Sequence, residues 1–370
     1  MAEKKALYQK YRPNKLDQIV GQDHVKKTLT NAVKNGRLKH AYLFCGIRGT
    51  GKTTLARILA LIFNCESAPS VEYDISEGIC KSIISGNCPD VIELDAASNS
   101  SIDEIRELRS LARTNPVMGN KKVFIIDEVH CLRKEAASAL LKILEEPPRN
   151  TVFILCTTDP QKMLKTILSR CQRFDLKRIS TKEMIKHLQE ICKKEGVKKV
   201  EEDALAIIAR AGMGSVRDSL SLLDSVISTS EDEITTKIVE ETINYTSMSF
   251  FFTLVDHIIK NEKVQAFIHL KKAMAIGKDP QEVFHGFLEY IHSTMLSKTL
   301  NTDKFLYIEQ DIKKDWLKQR DETPIDDFLI IYNTLEQSML DLHYKPRVDL
   351  TLDACVIQLL NLFEEKSKRS

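Results

Sequence analysis

A chain of 370 residues, 43% of them apolar, exceeds one ordinary domain and can bury two or three hydrophobic cores. Its net charge of +2, with both signs interspersed, gives no compositional sign of a nucleic-acid binder, so any DNA contact must be local; nine scattered cysteines suit reduced, mostly buried thiols rather than a disulfide framework. No apolar run approaches the roughly 20 residues of a membrane span, and Met1-Ala2-Glu3-Lys4-Lys5 is not followed by the apolar stretch of a secretory signal, so no membrane association and a cytoplasmic location are expected.

From about residue 16 to 176, short β-rich runs at 41–45, 91–94, 123–126, 152–156 and 174–176 alternate with helical patterns. That alternation predicts an α/β domain, 1–178, with a parallel sheet flanked by helices. The first run leads into Gly46-Ile47-Arg48-Gly49-Thr50-Gly51-Lys52-Thr53, and Leu55, Ile58, Leu59 and Ile62 then take helical spacing after Thr54. Strand, GxxxxGK[ST], helix is the P-loop order. Gly46, Gly49, Thr50 and Gly51 let backbone N–H groups curl round phosphates, Lys52 reaches the β and γ oxygens, Thr53 ligates Mg²⁺, and Thr54 follows at the helix N-terminus.

The run Val123-Phe124-Ile125-Ile126 ends in Asp127-Glu128-Val129-His130, two carboxylates where a parallel strand leaves the ligand edge of a sheet. Paired with the P-loop, this reads as a Walker B signature: Asp127 holds Mg²⁺ and Glu128 polarises the attacking water. The expected ligands are a nucleoside triphosphate and Mg²⁺, and the family resemblance given below implies ATP.

After Ser180 the strand signals vanish. A capping box at Ser180-Thr181-Lys182-Glu183 opens a helix, Gly196 ends it, and Gly212 and Gly214 bracket the next break, giving a small helical domain over 179–244. From 245 to 370 the pattern stays helical, with Phe250, Phe251, Leu254, Val255, Ile258 and Ile259 on one face and a turn at Gly277-Lys278-Asp279-Pro280. The apolar stretch 350–363 is either core or an oligomer seam.

Further motifs stand in order: Ala6-Leu7-Tyr8-Gln9-Lys10-Tyr11-Arg12-Pro13, Asp95-Ala96-Ala97-Ser98, Leu140-Leu141-Lys142-Ile143-Leu144-Glu145-Glu146-Pro147-Pro148, Thr157-Thr158-Asp159-Pro160, Ser169-Arg170-Cys171 and Gly214-Ser215-Val216-Arg217-Asp218. Together these resemble the gamma/tau family of bacterial DNA polymerase III, AAA+ clamp-loader ATPases, over about residues 7–223. The resemblance implies a helical lid at 179–244, a collar or oligomerisation domain at 245–370, and ATP-driven loading of a sliding clamp in DNA replication. It implies that Tyr11, Arg12 and Pro13 pack on the adenine, that Thr158 is sensor 1 and Arg217 sensor 2, and that Arg170 is a finger completing a neighbouring subunit's site in trans. Read from the residues alone, Thr158 is equally a buried strand-end threonine and Arg217 a solvated helical arginine.

Partners implied by the resemblance are delta and delta-prime subunits, further gamma/tau copies in a pentamer, the clamp, and primer-template DNA gripped through its backbone. For the last, Asn99, Ser100 and Ser101 before the helix box Ser101-Ile102-Asp103-Glu104 are candidates, with Arg106 and Arg109 as helpers; a purely capping role is the equal alternative. The family's four zinc cysteines are not all kept: Cys65 and Cys80 hold the outer spacing, but Asp74 and Glu77 occupy the inner positions, so no tight structural zinc is expected unless Cys88 joins a rearranged site. Two other readings remain: a non-hydrolysing, stator-like scaffold, which the intact Lys52, Thr53, Asp127 and Glu128 oppose, and a DExH helicase suggested by Asp127-Glu128-Val129-His130, which the absence of a second recombinase-like domain opposes.

Overall fold

Runs of β-branched and aromatic residues become the buried strands of the first half, and the amphipathic segments between them become the helices that cover the sheet. The computed structural model describes residues 5–98, 102–229, 233–302, 312–342 and 347–369. In chain order the elements are α1 (Leu7–Lys10), α2 (Asp23–Lys34), β1 (Ala41–Cys45), α3 (Lys52–Asn64), α4 (Gly78–Ser85), β2 (Val91–Asp95), α5 (Ile102–Ala112), β3 (Lys122–Asp127), α6 (Lys134–Glu145), β4 (Thr151–Thr157), α7 (Lys165–Leu168), β5 (Gln172–Asp175) and α8 (Thr181–Glu195). Then come β6 (Lys199–Val200), α9 (Glu202–Ala211), α10 (Val216–Thr229), β7 (Glu233–Ile234), α11 (Thr236–Thr242), α12 (Met248–Ile259), α13 (Lys263–Ala275), α14 (Pro280–Leu300), α15 (Lys313–Glu322), α16 (Ile325–Leu342) and α17 (Val348–Arg369). Two compact units result: Met1–Gly196 with Ile208–Asp224, and Val197–Ile207 with Ser225–Ser370. The expected boundary near 178 falls inside the first and that near 244 inside the second.

In the first unit the strands form one parallel sheet in the order β2-β3-β4-β1-β5. Both faces are covered. Tyr42, Phe44, Val123, Ile125 and Ile154 point to a core shared with α3, whereas Leu43, Phe124, Ile126, Phe153 and Leu155 meet α5 and α6 on the other side. This explains why β1, β3 and β4 are apolar without alternation. The register sets Asp95 beside Asp127 and Cys45 beside Thr157, so the polar ends of the central strands emerge together at one edge. Helix α8 carries the expected capping box: Ser180 accepts from Glu183 N, and the Glu183 carboxylate accepts from Ser180 N; Gly196, at φ 78°, ends it.

The second unit corrects the expectation that strands cease after residue 180. β6 and β7 pair in parallel, Lys199 with Glu233 and Val200 with Ile234. Each has two residues, too short for any alternation to register. The rest is helical, packed round Phe251, Phe284, Phe287, Trp316 and Phe328. Gly286 on α14 admits the Phe251 ring, whose Cζ lies 2.6 Å from where a Cβ would stand. Two polar pairs lie within this core: Trp316 Nε1 donates to Thr294 Oγ1 at 3.0 Å and Tyr290 OH to Gln319 Oε1 at 2.6 Å. On α17, Leu352, Cys355, Val356, Leu359, Leu360 and Phe363 are core, while Leu350, Ile357 and Leu362 are exposed, so the apolar stretch divides between two faces.

Candidate functional site

At the carboxyl edge of the sheet, β1 turns through the glycine-rich loop into α3. Gly46 N donates to Thr157 O at 3.2 Å, anchoring the loop to the end of β4. Gly49 and Gly51 take φ of 78° and 102°, where a side chain is strained. At Gly49 a Cβ would also stand 1.9 Å from Ser215 Oγ. Two backbone bonds tie the loop to α10, Val216 N and Arg217 N donating to Gly49 O at 3.1 and 3.5 Å, while Ser215 Oγ caps α10 by accepting from Asp218 N at 3.2 Å. The loop and the helix bearing Arg217 are thus in direct contact.

Lys52, 5% exposed, folds its ammonium onto the loop, donating to Gly46 O at 2.9 Å and Ile47 O at 3.1 Å. Thr50 Oγ1 donates to Ile47 O at 2.9 Å. Thr53 Oγ1 donates to Asp127 Oδ2 at 2.6 Å, and Asp127 Oδ1 accepts from Glu128 N at 2.9 Å. Two hard oxygen donors, one in the first turn of α3 and one at the end of β3, therefore meet beside the lysine, a set that suits Mg²⁺.

Glu128 follows with φ 46°, left-handed for a residue with a side chain. Its Oε2 accepts from Thr158 N at 3.1 Å and Thr158 Oγ1 at 2.8 Å, and lies 3.4 Å from His130 Nδ1. His130 Nδ1 also meets Thr157 Oγ1 at 3.0 Å. The carboxylate is held between two strand ends, as a base must be before it can polarise a water.

A cavity of about 190 Å³ runs from these groups to a pocket lined by Tyr8, Tyr11, Arg12, Pro13, Ile19, Val20, His187, Val216, Arg217 and Leu220, with Arg48, Gly49, Thr50, Gly51, Lys52, Thr53, Thr54, Asp127 and Glu128 at its polar end. Burial, then Arg57, pull the Arg12 guanidinium below its ordinary range; burial lowers His187, favouring neutral imidazole, and raises Tyr11. Arg217 lies over the Tyr8 ring, 4.9 Å from its centroid. Gly46, Thr158 and Arg170 do not line this cavity. Arg170 instead pairs with Glu145, Nη2 to Oε1 at 2.7 Å.

Several lining residues have no signature in the sequence. Ile19, Val20, His187 and Leu220 carry no motif chemistry, and only the fold brings them to the cavity. Tyr8 lies three positions before Tyr11 in the same segment, and that proximity is its one signal in the sequence. Cys131 is exposed, its Sγ 3.5 Å from His130 Nε2; Cys156 is buried, which pushes its thiol well up.

Each candidate zinc residue meets a partner within the chain. Cys80 Sγ donates to Glu77 Oε2 at 3.4 Å, and burial, then this bond, push the thiol up to about 12. Cys65 Sγ turns to Ile62 O and Ser67 Oγ, and Asp74 is engaged by Ser76. Among the described residues no group of three or more His, Cys, Asp or Glu is arranged to hold a metal ion. Asn99, Ser100 and Ser101 lie outside the described residues; Arg106 pairs with Asp103 at 3.2 Å. No described helix is long and apolar enough to cross a membrane.

Compared with known proteins, residues 21–180 match the family described as DNA polymerase III, delta subunit; 183–232 match DNA polymerase III clamp loader subunit, ATPase lid domain; and 234–369 match DNA polymerase III subunits gamma and tau domain III. The chain is 43% identical over 297 residues to DNA polymerase III subunit tau of Bacillus subtilis, covering 80% of this chain and 52% of that one. It is 36% identical to subunit gamma of Buchnera aphidicola, covering 79% and 81%, and 35% identical to subunit tau of Escherichia coli, covering 96% and 55%. The chain thus spans about half the length of these two tau relatives.

Proposed function

The chain belongs to the gamma/tau family of bacterial DNA polymerase III subunits, and from that premise we propose that it is an ATP-hydrolysing subunit of a sliding-clamp loader, acting in the bacterial cytoplasm. The observation that carries this reading is the convergence of Lys52, Thr53, Asp127, Glu128 and Thr158 at one edge of the parallel sheet.

ATP is the substrate. Backbone N–H groups of residues 49–54 and the Lys52 ammonium receive its phosphates, the lysine exchanging carbonyl acceptors for phosphate oxygens. Thr53 and Asp127 would hold Mg²⁺, which supplies neutralising charge at the phosphate oxygens. Glu128, oriented by Thr158, takes the proton of the attacking water. Tyr11, Arg12 and Pro13 select the base, and His187 completes that end of the pocket.

Arg217 reaches the nucleotide from α10, and its helix is bonded to the P-loop through Val216 N and Arg217 N on Gly49 O, so the γ-phosphate biases the position of α10. Arg170 acts in trans, which makes turnover depend on assembly with delta, delta-prime and further gamma/tau copies in a pentamer. The segments 1–178, 179–244 and 245–370 serve as ATPase, lid and collar; the three family matches, at 21–180, 183–232 and 234–369, support that division. Energy from ATP binding favours the clamp-holding shape, and hydrolysis on primer-template DNA releases it.

The test is steady-state ATP hydrolysis by the chain alone and with clamp, primed DNA and the partner subunits, alongside Lys52→Ala. Stimulation that needs every component and Lys52 is expected. Equal turnover by the lone chain overturns the clamp-loader reading, absence of turnover in all mixtures favours a stator-like scaffold, and ATP-dependent strand separation favours a helicase.

A further inference from the structure

Arg170 is held in place by a carboxylate that sits where helix electrostatics disfavour it. Glu145 is the last residue of α6, at the negative end of that helix's dipole, where an anion costs about 0.3–1 kcal/mol. Its Oε1 accepts from Arg170 Nη2 at 2.7 Å. Arg170 Nη1 donates to Thr166 O at 2.8 Å, a carbonyl in the last turn of α7, and to Ser169 Oγ at 3.4 Å. The guanidinium thus ties the C-terminal ends of α6 and α7 together.

The pair is partly exposed, the side chains at 34% and 48%. Such a pair adds little to folding, typically about 0–1 kcal/mol. Its consequence is directional. A guanidinium has five N–H donors in a fixed plane. Glu145, Thr166 and Ser169 engage Nη1 and one edge of Nη2, which leaves the Nε side of the plane for another acceptor while fixing where that plane points.

We propose that Glu145 is a positioning residue for the arginine finger: it orients the Arg170 guanidinium toward the γ-phosphate bound by the neighbouring subunit. This rests on the reading of Arg170 as a trans-acting finger. Glu145 touches neither ATP nor the reacting atoms; it acts through Arg170. The carboxylate keeps the flexible side chain from sampling other rotamers, so part of the entropy of aligning the finger is lost on folding rather than during each turnover. Glu145→Gln keeps size and one acceptor but removes the charge that makes the contact short and oriented.

The experiment compares unaltered chain, E145Q, E145D, R170A and the double variant E145Q/R170A, each assembled with partner subunits, clamp and primed DNA. Assembly is checked by sedimentation, and the lone chain's basal hydrolysis is measured alongside. A 1 Å misplacement of a catalytic group costs on the order of 100-fold, and loss of one orienting charge is expected to lower kcat of the complex about 10-fold. KM for ATP should stay unchanged, E145D should recover part of the loss, and the lone chain's basal rate should not move. E145Q/R170A should be no slower than R170A, because the glutamate has nothing left to orient. Normal turnover by E145Q beside a defective R170A overturns the positioning role alone. So does faster turnover, which would mean that Glu145 sequesters the finger, and so does loss of assembly, which would place Glu145 in the subunit contact. Normal turnover by R170A instead overturns the finger reading, and the positioning role with it.

Discussion

Gly49→Ala perturbs the contact between P-loop and α10 with a single methyl group. The new Cβ would stand 1.9 Å from Ser215 Oγ, 3.0 Å from Ser215 Cβ and 3.2 Å from Arg217 Cβ. Alanine at φ 78° costs about 1–2 kcal/mol by itself. To clear the overlap Ser215 must also turn away, breaking its bond to Asp218 N and forfeiting a cap worth about 1 kcal/mol. The expected destabilisation of the first unit is therefore about 2–3 kcal/mol. Ser215→Gly alone should cost only a few tenths of a kcal/mol, on the order of 0.3, because glycine is tolerated at an N-cap. In the double variant the backbone strain stays but the collision goes. A coupling of about 1 kcal/mol in the rescuing direction is expected. The single tryptophan, Trp316, lies in the second unit and does not report this site, so hydrogen exchange of β1, β3 and β4 is the suitable assay, together with ATP affinity. ATP affinity should fall in Gly49→Ala and recover in part in the double variant. Strict additivity, or a single variant that exchanges and binds ATP like the unaltered chain, would refute the argument that the loop and α10 share this contact.

Asp90 is fully buried, and its carboxylate accepts from Val117 N, Met118 N and Gly119 N at 2.6–3.0 Å, holding the turn before β3. Asp90→Ala orphans those donors and should cost about 3 kcal/mol, with new proteolysis near Val117 and Met118, which are already 77% and 54% exposed; an effect no larger than that of the exposed control Asp103→Ala would count against it. Thr158→Val removes the 2.8 Å bond to Glu128 but keeps the backbone N–H. Losing about 1.4 kcal/mol of orientation predicts a kcat about 10-fold lower in the assembled complex, with ATP affinity little changed; a large affinity loss with normal kcat would contradict it. Glu364 meets Lys263 at 2.6 Å and Lys368 at 3.0 Å, which hold its carboxyl near about 2. Since that lies below the unfolded value of about 4.3, the unfolded state binds the proton first. The stabilisation is fully present above the unfolded value and is lost as pH falls toward 2. The urea midpoint read by Trp316 should drop between pH 5 and pH 3, and Glu364→Gln should flatten that drop; an equal slope in the variant would exclude this ion pair as its source.

Much of the candidate site was legible because its chemistry is local. The P-loop spacing, the acidic pair after residues 123–126 and the capping box at Ser180 each put donors and acceptors within a few residues of one another, and each appears where its pattern predicts. Strand ends were less legible: the run at 174–176 became β5 at Gln172–Asp175, since pairing with β1, rather than apolar character, decides which residues extend. The two-residue strands β6 and β7 left no trace, because a period of two needs more than two residues to repeat.

The sequence by itself determined what each group can do: Lys52 can only donate, Asp127 and Glu128 accept, and Gly49 and Gly51 permit a positive φ. Only the tertiary structure decided what each group meets. Thr53 reaches Asp127 across 74 positions, Thr158 reaches Glu128 across 30, and Arg170 reaches Glu145 across 25. The physical reason is that a parallel sheet orders its strands by packing and hydrogen-bond register rather than by chain order. Residues distant in sequence thereby become neighbours at one edge, and no local pattern records that adjacency.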